Sequence, residues 1–92
     1  MAAFPLGPLL LSAGVAEAVA GDSAAAAEVC RLIARHARCD WGDLCEEDKA
    51  LNERALRNGG RLLSAYATRI GRVWVITEAD RSATTVLLPE EY

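Results

Sequence analysis

At 92 residues, 52% hydrophobic and 25% charged, the chain is long enough for one packed core and too short to divide into two domains. Thirteen acidic against ten basic residues leave a net charge of −3, which excludes any general attraction to phosphate backbones. Three cysteines, Cys30, Cys39 and Cys45, are an odd number without a pairing motif, which excludes a complete disulfide framework and points to a reducing cytoplasm.

Residues 1–5 are expected to fray. Leu6 to Ala20 reads as a short helix, with Pro8 tolerated in its first turn. The segment ends in Ala18-Val19-Ala20-Gly21, which imitates a signal-peptidase site. It lacks a basic start, however, and Pro5, Gly7, Pro8, Gly14 and Glu17 interrupt it, so neither a leader nor a membrane span is expected. Asp22 or Ser23 then caps a second helix to about Arg38. Its polar stripe is Glu28, Arg31, Arg35 and Arg38, with Val29, Leu32, Ile33, His36 and Ala37 on or beside the other face. Cys39 to Gly42 is a turn. Asp43 with Glu46 has the form of a capping box for a third helix, which Asn58-Gly59-Gly60 ends. Asp48 falls on the apolar stripe of this helix between Leu44 and Leu51, so it is expected to pair with an arginine such as Arg81 or to sit at an interface.

After Gly60 the hydrophobic period falls from 3.6 to 2. Strands are predicted over Arg61 to Thr68, Arg72 to Thr77 and Ser82 to Leu88, with Arg69-Ile70-Gly71 as the first turn. The expected fold is therefore α+β, three helices followed by a three-stranded antiparallel meander, in a single domain over 1–92. One sheet face is predicted to carry Leu62, Tyr66, Trp74, Ile76, Val86 and Leu88, the other Leu63, Ala65, Ala67, Val73, Val75, Ala83 and Leu87. A sheet apolar on both faces asks for a second cover, so a homodimer or a protein partner is expected on the face of Leu62, Tyr66, Trp74, Ile76 and Val86.

Chemistry-bearing clusters are sparse. Cys30, His36, Cys39 and Cys45 lack zinc spacing, since positions 30 and 36 diverge around a helix, so no metal and no cofactor is expected. A thiol enzyme would have to use Cys39 with His36, without a recognisable nucleophile motif. Arg61, Arg69, Arg72 and Arg81 flank strands bearing Tyr66 and Trp74, the outline of a base-stacking platform for nucleic acid. The acids Asp40, Asp43, Glu46, Glu47 and Asp48 form the densest charge cluster, suited to capping or to a basic partner.

Three strings carry a resemblance. They are Asp40-Trp41-Gly42-Asp43-Leu44-Cys45-Glu46-Glu47-Asp48, Gly60-Arg61-Leu62-Leu63-Ser64-Ala65-Tyr66, and Trp74-Val75-Ile76-Thr77-Glu78-Ala79-Asp80-Arg81-Ser82-Ala83-Thr84-Thr85. Residues 40–92 resemble a family of small "plasmid-related" proteins of proteobacterial plasmids, prophages and integrative elements. The resemblance implies an accessory role on a mobile element, either element maintenance or antagonism of host defence of the anti-CRISPR or anti-restriction type. It implies no catalytic residue. The expected function is a non-enzymatic protein-binding module that occludes a basic surface. It would use the acidic segment Asp40, Trp41, Asp43, Glu46 and Glu47 or the sheet face. Nucleic-acid binding and thiol chemistry are the alternatives.

Overall fold

The computed structural model describes residues 2–92. In chain order the elements are β1 (Leu9–Leu11), α1 (Ala13–Ala20), α2 (Ser23–Ala37), α3 (Glu46–Asn58), β2 (Leu62–Thr68), β3 (Gly71–Thr77) and β4 (Thr84–Leu87), then a 3₁₀ turn at Pro89–Glu91. The class is α+β as expected. The antiparallel meander β2-β3-β4 is present, but β1 adds a fourth, parallel strand beside β4, and the sheet order is β1-β4-β3-β2.

The expected helix from Leu6 thus begins only at Ala13. A three-leucine run has no period, so it suits a strand as well as a helix. Pro8 accepts a bond from the Thr84 N–H at 3.0 Å, and the Ser12 N–H donates to Val86 at 2.9 Å, so both ends are stitched to β4. Ser12 then turns the chain into α1, its Oγ accepting from the Val15 N–H at 3.2 Å. The first residues do not all fray. Phe4 is buried and the Ala3 N–H donates to Ala37 at 2.8 Å.

Of the two predicted caps, Asp22 and Ser23, it is Asp22 that caps α2, accepting from the Ala24 and Ala25 N–H groups at 3.0 and 3.2 Å. The helix buries Val29, Leu32, His36 and Ala37 of its predicted apolar face together with Ala25, while Ile33 is half-buried. With Val15 of α1, it covers a sheet face formed by Leu62, Ser64, Tyr66, Val73, Val75, Thr77, Thr84 and Val86.

That face differs from the predicted grouping of Leu62, Tyr66, Trp74, Ile76 and Val86. Gly71, at φ +101°, already pairs with Thr68, so only Arg69 and Ile70 separate the strands. A loop one residue shorter than predicted reverses the parity of β3 relative to β2. Leu62, Tyr66 and Val86 therefore point at the helices and are buried, while Trp74 and Ile76 point the other way. The second face is not bare either. Trp74 meets Tyr92 edge-on at 5.5 Å, Ile76 and Leu87 are buried, and Asp48 in the first turn of α3 stands beside Leu63. The first turn of α3 and the terminal turn flank this face, so the chain itself covers part of it, while Leu63 and Trp74 stay half-buried and Ala67 and Arg72 exposed.

Helix α3 does not use the predicted capping box. Its N-cap is Cys45, without a side-chain cap bond. Arg81 does not pair with Asp48 but serves the other end. Its guanidinium donates to the carbonyls of Gly60 (2.6 Å), Glu78 (3.1 Å) and Ala55 (3.2 Å), placing a cation at the negative end of the helix. Arg81→Lys is expected to lose about 1–2 kcal/mol in urea unfolding, because an ammonium cannot span several carbonyls as a planar fork does.

A groove and a sealed sheet edge as the candidate functional site

The segment between α2 and α3 is held against the outer edge of β2. The Ala65 N–H donates to Trp41 at 3.2 Å, the Asp43 N–H donates to Ala65 at 2.7 Å, and an Asp43 carboxylate oxygen accepts from the Ala67 N–H at 3.1 Å. Gly42 lies between them at φ +73°, so close that a Cβ would stand 2.1 Å from the Ala65 carbonyl oxygen. Further along, Asn52 imitates a strand. Its amide nitrogen donates to the Leu63 carbonyl at 2.7 Å and its oxygen accepts from the Leu63 N–H at 3.2 Å.

This docking leaves an open groove of about 460 Å³ on the second sheet face. Leu63 and Ala65 of β2 and Arg72 and Trp74 of β3 form its floor. Asp43, Leu44, Cys45 and Asp48 make one wall, and Pro89 of the terminal turn the other. Its chemistry is an indole and aliphatic floor with two carboxylates on one side. Arg72 stands on the floor and makes no ion pair among the described residues. Glu46 and Glu47 continue the negative charge over the exposed first turn of α3, with Glu46 3.9 Å from Lys49.

The predicted acidic segment is therefore divided. Asp40 is occupied by Arg35, bonded at 2.7 and 3.3 Å, and this guanidinium holds its carboxyl below the ordinary value. Its backbone carbonyl accepts the Tyr66 hydroxyl at 2.6 Å. Trp41 is 4% exposed, packed with Phe4 and Leu62, its indole N–H on Glu53 at 2.8 Å. Both are architectural. Asp43, Glu46 and Glu47 remain accessible, and Asp43 reaches the groove together with Trp74. Asp48 was legible as an anomaly, a carboxylate on an apparent apolar stripe. It is exposed on the groove wall, while α3 buries Asn52 and packs Ala55 and Leu56 inward. Leu63, Ala65 and Pro89 were invisible as site residues, and Arg72 was named only for a nucleic-acid platform, because their convergence depends on sheet parity and on the chain turn at Pro89.

The alternative chemistries do not find their geometry. Tyr66 is buried on the helix side, its hydroxyl pushed up to about 12 by burial, whereas Trp74 lies on the opposite face, so they form no common stacking platform. Arg61 binds Glu78, Arg69 binds Asp22, and Arg81 binds carbonyls. His36 is fully buried, with Nδ1 on Ser64 and Nε2 on Thr77 at 2.9 Å, so neither ring nitrogen is left for Cys39. Burial raises the Cys39 thiol, and the charge of Glu53 adds to this, the reverse of an activated nucleophile. Among the described residues no three of His, Cys, Asp and Glu are grouped as metal ligands. No helix among them is long and apolar enough to cross a membrane.

Comparison of the chain with family models, with curated proteins and with solved structures finds no match.

Proposed function

We propose that the chain is a non-enzymatic protein-interaction module whose groove takes a basic, partly apolar segment of a partner protein. The observation that carries this reading is the meeting of Trp74, Asp43 and Asp48 in one open groove. An arginine or lysine stem lies well on an aliphatic and indole floor, while its charge finds the carboxylates of the α3 wall. Glu46 and Glu47 extend the negative field outward and would speed encounter with a basic surface. The resemblance of residues 40–92 to mobile-element proteins supports the finer version. There the partner is a nucleic-acid-binding subunit of a cytoplasmic host defence complex, and the chain inhibits it by covering its basic face.

The test is titration with a short arginine- and leucine-containing peptide, followed by pull-down of candidate defence complexes. Asp43→Asn with Asp48→Lys is expected to weaken peptide binding at least about tenfold, and raised salt to weaken it further. Equal binding by the wild type and this double variant would remove the groove from the account. Peptide binding without capture of any defence complex would leave the groove and refute the inhibitor role.

A further inference from the structure

The two edges of the sheet are finished in opposite ways. On β2 the outward residues are Leu63, Ala65 and Ala67. Asn52 takes both backbone groups of Leu63, Trp41 and Asp43 take those of Ala65, and the Asp43 carboxylate takes the Ala67 N–H. On β1 nothing comparable occurs. Pro8 and Ser12 bond inward to β4, so with Leu10 opposite Thr85 the alternation turns position 10 inward too. The N–H and C=O groups of Leu9 and Leu11 thus face outward, with no partner among the described residues.

The side chains match the backbone. Leu9, Leu10 and Leu11 are 51%, 50% and 43% exposed. The strand itself carries no charged residue of the kind that usually guards such edges; the carboxylate beside it is that of Glu91, which accepts from the Ser12 hydroxyl and the Gly14 N–H beyond its C-terminal end. Pro8 on one side and the start of α1 on the other confine any pairing to these three residues, which defines its register.

We infer that this edge is a self-association surface, on which two copies pair β1 with β1 antiparallel about a two-fold axis at Leu10. The edge is complementary to itself. In this register Leu9 faces the partner's Leu11 and Leu11 the partner's Leu9, each as a doubly bonded pair, and Leu10 faces the partner's Leu10. Four hydrogen bonds then satisfy every outward group of both strands. With no charged side chain on positions 9 to 11, no like charges stand directly opposite each other across the pair, and Glu91 beside Ser12 lies outside the paired residues. The product is one continuous eight-stranded sheet with the two grooves left free. So short a contact falls below the area of a permanent interface, so association is weak and depends on concentration.

Sedimentation from low micromolar to millimolar protein, with amide exchange at each concentration, tests this. The expected result is a rising mass with parallel protection of the Leu9 and Leu11 amides. Leu10→Lys, at a half-exposed site, is expected to weaken association at least about tenfold by placing two ammonium groups at the axis. If that variant does not fold, exchange in the wild type decides. A monomer throughout, or a dimer whose Leu9 and Leu11 amides still exchange freely, overturns the inference. Protection that appears only with an added foreign extended peptide also overturns it, by assigning the edge to another chain.

Discussion

His36→Ala is expected to destabilise the protein by about 3–5 kcal/mol in urea unfolding, the range for cutting a buried hydrogen-bonded group out of a core. The imidazole is 0% exposed and lies between Phe4 and Trp41, with ring centroids 5.5 and 5.7 Å away. It also sits within a line of hydroxyls whose direction is set at one end. The Leu6 carbonyl can only accept, so Thr84 donates to it at 2.7 Å. Thr77 must then donate to Thr84 at 2.7 Å, His36 must donate from Nε2 to Thr77, and Ser64 must donate to Nδ1. Removing the ring leaves Ser64 without an acceptor and Thr77 without a donor, in a place water does not reach. Ser64→Ala is the milder relative, since it leaves only Nδ1 unpaired.

The same residue makes stability depend on pH. Burial pulls the imidazole down from 6.5 to about 4. Between those values an unfolded His36 binds a proton and the folded one does not, so acid favours unfolding. The contribution is complete above pH 6.5 and is lost as pH falls through about 4, a total near 3 kcal/mol. Asp40 and Glu91, held low by Arg35 and Ser12, lose their contributions at more acidic pH. The difference between wild type and His36→Ala, followed by unfolding at several pH values, therefore isolates the imidazole. Equal slopes for the two proteins would place the acid sensitivity elsewhere.

Gly42→Ala is the second large effect expected, about 3 kcal/mol or more, together with loss of peptide binding in the groove. The backbone at φ +73° is strained for any side chain, and the new methyl would meet the Ala65 carbonyl at 2.1 Å and the Tyr66 ring at 2.7 Å. Relief requires the segment to leave β2, breaking the Asp43 and Trp41 bonds to Ala65 and withdrawing Asp43 from the groove. Gly59→Ala separates the two causes. Gly59, at φ +78° and ψ 148°, lies in a region almost confined to glycine but has nothing within 4 Å, so only the conformational cost of about 1–3 kcal/mol should appear. Amide exchange at Asp43 and Ala65 reports the detachment directly. Similar losses for the two variants would show that the tight approach of Gly42 is unimportant.

The elements legible in the sequence were those where several local signals agreed. Asp22 before the stripe of α2 and the glycine pair after Asn58 each named a boundary that the structure keeps, and the alternation read from Arg61 begins one residue later, at Leu62. What stayed hidden was set by distant pairing. Leu9 to Leu11 becomes a strand only because β4, more than seventy residues later, offers an edge. Asp43 resembles a helix cap by spacing, yet its carboxylate is taken by the Ala67 N–H, a partner no local pattern can announce. One residue in the turn after Thr68 decided which aromatic faced outward, and with it the position of the candidate site. Trp41 looked like an exposed recognition residue because it sits among acids, but one of its neighbours in space is Phe4.

The manner in which α3 is attached has a mechanical consequence. Asn52 is its only buried residue, and Leu51 is 56% exposed, so the helix adheres through that amide, the Glu53 carboxylate on the Trp41 indole, contacts at Ala55 and Leu56, and the Arg81 clasp. Its opposite number, α2, is anchored by five buried residues. The acid-bearing flank of the groove thus rests on fewer buried side chains than the α2 side of the sheet. Amide exchange is accordingly expected to be faster along α3 than along β3, which lies between two paired strands.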